Sequence, residues 1–235
     1  MYGYYGYYMD PTYILVLVGA ILCIAASSKL NSTYNKYEKI RSRSGITGAE
    51  AASRILRYSG IYDVRIERVQ GNLTDHYDPR NKVLRLSDRT YNSSSIAALG
   101  VAAHECGHAV QHQEEYLPIR FRNALAPIAN ISSTLSIPLI LLGVVLGMYS
   151  TLVQVGIWVF AIAVLFQVVT LPVEYNASSR ALVMLQDYGI TGEEEVAGCK
   201  KVLSAAALTY VAGVASSILQ LLRLLLLFGN RRNDD

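Results

Sequence analysis

Charge is scarce in this chain. Lys, Arg, Asp and Glu together make up 17% of its 235 residues, against about 25% in an average soluble domain. That is too little to solvate every face of a globule this long, so a wholly soluble fold is disfavoured. What basic charge there is never concentrates. The net charge is +3 and no long Lys/Arg run exists, which excludes nucleic acid as a partner. Cysteine is limited to Cys23, Cys106 and Cys199. An odd, scattered set of three makes no disulfide framework and suits a reducing compartment for the polar part. Finally, no Lys or Arg precedes residue 29. A secretory signal peptide needs a cationic start, so the first apolar run is a retained anchor.

What the chain has is apolar residues, 52% of the total, gathered into long runs. A Tyr/Gly-rich tail, 1–12, reads as a short interfacial segment with no chemistry. Residues 13–30 form transmembrane helix 1, uncharged from Tyr13 to Ser28. Lys29, Lys36, Lys39, Arg41 and Arg43 follow at once. Under the positive-inside rule the N-terminus lies outside and the region after residue 29 is cytoplasmic. Runs at 128–149 and 152–173 are each long enough to cross about 30 Å of hydrocarbon. With little more than "YST" between them, they make a transmembrane hairpin over 128–173. The last run, 202–228, contains Arg223, which a lipid-facing helix tolerates poorly. It either spans, leaving the polar tail 229–235 outside against the charge rule, or packs on the cytoplasmic part or the interface.

The polar stretch 31–127 holds the chemistry. Thr47 and Glu50 form a capping box that opens a helix to about Tyr58. "YDVRIERV" and "KVLRLSDR" alternate and are β-branched, so they read as two strands. The turn-rich linker between them carries His76. Next comes a helix rich in alanine, containing "AAHECGHAVQHQ". Residues 174–201 read as cytoplasmic helices, the second capped at Thr191.

His104 and His108 lie four apart, on one helix face one turn up, where they can hold a single ion. Glu105 sits about 100° around the helix. From there it reaches a water on the metal without binding the metal itself. This His-Glu-x-x-His arrangement points to zinc hydrolysis; the plainer alternative is two surface histidines beside a solvated glutamate. His112 continues the spacing, but a rise of about 12 Å from His104 removes it, because ligand atoms around zinc lie only about 3.4 Å apart. The third ligand is sought in "LPVEYNASSRALVML", where Glu174 is a carboxylate at the end of a membrane helix and so needs a polar task. Pro172 reads there as a bend or a helix start. Two histidines and one glutamate leave an open position for water. The plainer alternative is an interfacial Glu174 paired with Arg180.

At these residues the chain resembles the YugP-like bacterial membrane zinc metallopeptidases, relatives of the HtpX-type gluzincins. "TGAEAASRIL", "LTDHYDPRNKVLRLS", "SIAALGVAAHECGHAVQ" and "LPVEYNASSRALVML" carry the likeness, which extends over nearly the whole chain. It implies one Zn²⁺ held by His104, His108 and Glu174, with Glu105 as general base. The HtpX-type pattern Glu-x-x-Ala-Asp aligns with "EYNAS", so Ser178 stands where those relatives carry an aspartate that orients a ligand.

The expected fold is therefore an α-helical membrane protein with three to four transmembrane helices and a small α+β zincin-like catalytic part. The expected function is that of a membrane-embedded zinc metalloendopeptidase, multi-pass in the cell membrane, working on the cytoplasmic face. Glu105 takes the proton of the attacking water and passes it to the leaving amine. His76 is the first candidate for the oxyanion donor, ahead of Tyr77 and Arg180; the plain alternative is a turn histidine bonded to Asp75 or Asp78. The strand "KVLRLS" is expected to pair with an extended peptide by edge addition. Expected partners are a peptide or protein substrate, membrane proteins among them, and the bilayer; self-association is left open. Two other classes stay open on the residues alone: a silent membrane adaptor with a structural metal, and a transporter subunit using the histidines.

Overall fold

The computed structural model describes residues 10–147 and 151–229. Most of the Tyr/Gly-rich tail, part of the hairpin turn and nearly all of the final polar tail lie outside the described residues. Seven helices and three strands are described, in the order α1 Tyr13–Glu38, α2 Gly48–Tyr58, β1 Arg65–Val69, β2 His76–Asp78, β3 Val83–Ser87, α3 Asp88–Tyr91, α4 Ile96–Gln113, α5 Leu117–Val145, α6 Leu152–Asp187 and α7 Glu193–Phe228. They divide into two compact units. One draws on residues 1–25, 126–167 and 211–235, the other on 26–125 and 168–210.

The first unit is helical and wears its apolar side chains outward. Helices α1, α5, α6 and α7 are each long and apolar enough to cross a membrane. The buried cluster here is small, Ile140, Val153, Ile157 and Leu224. Gly19 shows how these helices meet. A Cβ at that position would lie 2.6 Å from the Ser216 hydroxyl oxygen and 3.1 Å from the Ser216 Cα, so α1 and α7 touch backbone to backbone, as small residues allow in membranes. Arg223 is not left bare. Its guanidinium stands 3.6 Å from the Asp10 carboxylate and 4.3 Å from the centre of the Tyr13 ring.

Proline does not break the long helices. Pro127 and Pro138 lie inside α5, and Pro172 lies inside α6 rather than at a bend or start. In apolar surroundings neighbouring groups can re-satisfy the freed carbonyls. Nor do the capped helix and the last apolar run separate: α7 is one helix of 36 residues. Thr191 does not cap it, since its buried hydroxyl forms no hydrogen bond.

The second unit turns its apolar side chains inward, around Ile55, Leu84, Leu86, Leu99, Leu185 and their neighbours. The Thr47 and Glu50 capping box forms as the sequence indicates, each side chain taking the other's backbone N–H. The sheet has three strands rather than the two read from periodicity, in the order β1-β3-β2. β1 runs parallel to β3, pairing Arg65–Val69 with Val83–Ser87, and β2 runs antiparallel to it, pairing His76 with Arg85. That order overturns the edge role expected of "KVLRLS". β3 is central, paired with β1 on one side and over Val83–Arg85 with β2 on the other, so the edges of the sheet belong to β1 and β2.

Candidate metal centre

The centre is assembled from two helices, α4 and the 168–187 part of α6. Helix α4 opens at Ser95, whose hydroxyl accepts the Ala98 N–H. Small residues then let the helix be buried on nearly every side. The critical one is Gly107, between the two histidines. A Cβ there would fall 2.5 Å from the Ala177 carbonyl oxygen and 3.1 Å from the Ala177 Cα. Glycine alone lets α4 come this close to the turn of α6 that carries Glu174.

The result is a tight triad. His104 Nε2 lies 3.3 Å and His108 Nε2 3.6 Å from the same oxygen, Oε2 of Glu174. Ligand atoms from the three residues all lie within 4.8 Å of one another. Two ligands on a tetrahedral zinc stand about 3.4 Å apart, so the spacing fits. Glu174 is 3% exposed, yet its Oε2 accepts no hydrogen bond. A buried carboxylate oxygen in that state is costly unless a cation meets it.

A chain of hydrogen bonds fixes what His108 presents. Arg180 Nε, which can only donate, gives to Asn176 Oδ1 at 2.7 Å. The Gln111 amide nitrogen donates to that same oxygen and to the Val173 carbonyl, both at 2.9 Å. Gln111 must therefore turn its oxygen, 3.0 Å away, towards His108 Nδ1. An amide oxygen only accepts, so the proton sits on Nδ1 and Nε2 offers a lone pair in the neutral ring. Facing Glu174 Oε2, that leaves two acceptors on one point, which calls for a cation. Burial works against a charge on His108, but the adjoining Glu174 carboxylate and nearby Glu105 outweigh it and hold its pKa above the ordinary value. The pocket thus favours positive charge. Ser178 lies 3.1 Å from His104 Nδ1, where its hydroxyl can accept and turn Nε2 inward in the same way.

Glu105 is 8% exposed, and among the described residues its carboxylate forms no hydrogen bond or ion pair. It lines two cavities that share His104 and Glu174. One, about 150 Å³, is walled by Asp75, His76 and Tyr77 and by Arg122 and Tyr210. The other, about 190 Å³, has an apolar wall from Val101, Val202, Leu203 and Ala206.

His112 is bound by Tyr77, Nδ1 to hydroxyl at 3.1 Å, and is not part of the triad. His76 borders the first cavity at the start of β2. Its Nδ1 lies 2.8 Å from the Thr74 carbonyl and so carries the ring proton, while Nε2 stands 3.3 Å from an Arg85 nitrogen. Asp75 is engaged elsewhere, accepting from the Ser87 N–H and hydroxyl. Tyr77 faces the same cavity, and burial pushes its hydroxyl up to about 12. Arg180 pairs with Glu114 at 2.7 Å and lines a different cavity, so it is not the partner of Glu174. Gln111, Arg122 and Tyr210 were not read from sequence. Gln111 had a signal, three residues past His108 on the same helix face. Arg122 and Tyr210 had none, because they come from distant helices.

Comparison with known proteins identifies a family. A family model described as "Putative neutral zinc metallopeptidase" matches residues 12–229. The "Putative membrane protease YugP" of Bacillus subtilis (strain 168) is 46% identical over 224 residues, covering 95% of this chain and 99% of that protein. No solved structure matches. With a zinc-compatible triad on paired helices and a match over nearly its full length, this chain belongs to the neutral zinc metallopeptidase family.

Proposed function

We propose that the chain is a membrane-embedded, zincin-like zinc endopeptidase with one Zn²⁺ per molecule, held by His104, His108 and Glu174. The observation that carries this reading is the buried, unpartnered Glu174 oxygen facing two ring nitrogens, one of which Gln111 holds free of its proton. Zinc bound there would polarise a scissile carbonyl and acidify water.

The chain's own residues supply the rest. Glu105, unpaired and at the edge of both cavities, accepts the proton of the attacking water and delivers it to the departing amine. The oxyanion needs a donor. The His76 Nδ1–H is committed to the Thr74 carbonyl, and Nε2 faces the Arg85 guanidinium rather than the cavity. His76 therefore serves better as a wall, and Arg122 or Tyr210, which face the same cavity, as donor. An extended peptide would pair with the open edge of β2 rather than with β3. The apolar cavity would take an apolar side chain next to the scissile bond.

Orientation follows from charge. Five basic residues between 29 and 43 and none before them support a cytoplasmic position for the stretch after α1, and for Glu105 with it. Four spans would put Asp10 and Phe228 on one side, in keeping with the contact between Asp10 and Arg223.

The test is metal analysis and casein cleavage by the purified full chain. Wild type should hold about one zinc, and Glu105→Gln should keep it while cleavage falls at least about 10²–10⁴-fold. Cleavage undiminished in Glu105→Gln would overturn the assignment of the base. Absence of cleavage from wild type with zinc retained would favour the silent adaptor.

A further inference from the structure

Away from the zinc centre, α1 and α7 enclose a groove of about 780 Å³ with no acidic residue in its lining. Four lysines border it: Lys29 and Lys36 from α1, Lys200 and Lys201 from α7. All four are exposed, and among the described residues none takes part in an ion pair. Spacing explains the convergence. Lys29, Ser32, Thr33 and Lys36 share one face of α1 at steps of three, four and seven, as Lys201, Ser204 and Leu208 do on α7. The groove floor is mixed: hydroxyls from Ser32, Thr33 and Ser204, and apolar surface from Ala205 and Leu208.

The position along each helix matters as much. The uncharged run of α1 ends at Ser28, one residue before Lys29, and the apolar run of α7 begins at Val202, directly after Lys201. Both helices thus change from hydrocarbon-compatible to basic at the groove. Like charges in one groove repel unless an anion joins them, and a solvated lysine face would need neither a shared cleft nor apolar floor. An anion with an attached hydrocarbon chain satisfies both halves.

We propose that this groove is a binding site for the phosphate headgroup of an anionic phospholipid. The lysines and hydroxyls meet the phosphate, and Ala205 and Leu208 lie against the glycerol and the first acyl carbons. Basic pockets between membrane helices have this preference on general grounds. The site is separate from the zinc centre and does not rest on its chemistry.

The test uses the full chain in nanodiscs of mixed phosphatidylcholine and phosphatidylglycerol, with lipid retained after detergent extraction measured by mass spectrometry. Wild type should retain phosphatidylglycerol in preference to phosphatidylcholine. Replacing the four lysines by glutamine should lower that retention about tenfold or more. Removing the same number of charges at Lys39, Arg54, Arg57 and Arg80 should leave it unchanged. Ser204→Trp, which fills the groove and keeps every charge, should also abolish it and guards against misfolding of the fourfold variant. The proposal is overturned if wild type shows no preference, if the control loses as much as the groove variant, or if Ser204→Trp retains as wild type does. Displacement of the lipid by inorganic phosphate at equal concentration would make it a phosphate site and overturn it too.

Discussion

The two units of this chain treat apolar side chains in opposite ways. Around residues 1–25, 126–167 and 211–235 they face outward, Leu17 at 58% exposure among them, and the buried cluster is small. In the other unit, leucines and isoleucines such as Ile55, Leu84 and Leu99 are wholly buried, and His104, His108 and Glu174 gather around one point, while buried Glu195 accepts from Ser42 and the Arg43 N–H. The hydrophobic effect drives burial only against water. An outward Leu17 therefore speaks for a hydrocarbon surround. Polar groups differ between the units in kind. In the first, Arg223 answers Asp10 and Ser217 donates to Gln167, while Ser136 Oγ and Arg223 Nε stay without a hydrogen bond. In the second, Glu174 Oε2 is left without a donor at the centre of a tight triad. Unpartnered hydroxyls and guanidinium nitrogens occur in both units, but among the described residues only at Glu174 does a buried, unpartnered carboxylate oxygen face two ring nitrogens, and that distinguishes a ligand site from structural polarity.

The comparison can be strained from either side. The largest effect should follow Gly107→Val, because side-chain atoms there meet the Ala177 backbone and push α6 from α4. Metal sites tolerate only about 0.2 Å in ligand distance, so zinc affinity should fall more than about 100-fold, read by competition with a chromogenic chelator. Zinc binding at wild-type strength would mean that the close approach is not what assembles the triad. Next is a matched pair of lysine substitutions. Leu17→Lys should cost about 2.5–3.5 kcal/mol in membrane insertion, whereas Tyr62→Lys, at 82% exposure in the other unit, should change stability by no more than about 0.5 kcal/mol. Equal effects, by insertion assay and thermal unfolding, would erase the distinction between the two surrounds. Smaller again is Gln111→Leu, nearly the same size and buried, which frees the His108 ring from its fixed tautomer. Zinc affinity should drop about 10–100-fold with helix content by circular dichroism unchanged.

Local features were legible because they depend on neighbours in sequence. The capping box needs residues three apart, Thr47 and Glu50, and both histidines share a face through the helical repeat. The outward unit showed itself through run length and lack of charge. What escaped was short or non-local. β2 has three residues inside a turn-rich linker and exists only because β3 supplies its partners. α7 was divided at the polar-to-apolar change, although composition can change along a helix without interrupting its hydrogen bonds. The edge role given to β3 failed because strand order is a property of the sheet, which no single strand records.

The sequence by itself determined the chemistry on offer: two imidazoles a turn apart, a carboxylate beside the first, another near the end of a long apolar run. It also determined that several helices would seek hydrocarbon. Only tertiary structure decided that Glu174 would meet both rings, since that depends on Gly107 resting against Ala177 some 70 residues on. Only tertiary structure decided which nitrogen of His108 is bare, since the proton is placed by a relay running from Arg180 through Asn176 and Gln111. The physical reason is common to both. A helix face is set by bonds four residues apart, whereas a lone pair acquires its direction from whatever chain segment happens to pack against it.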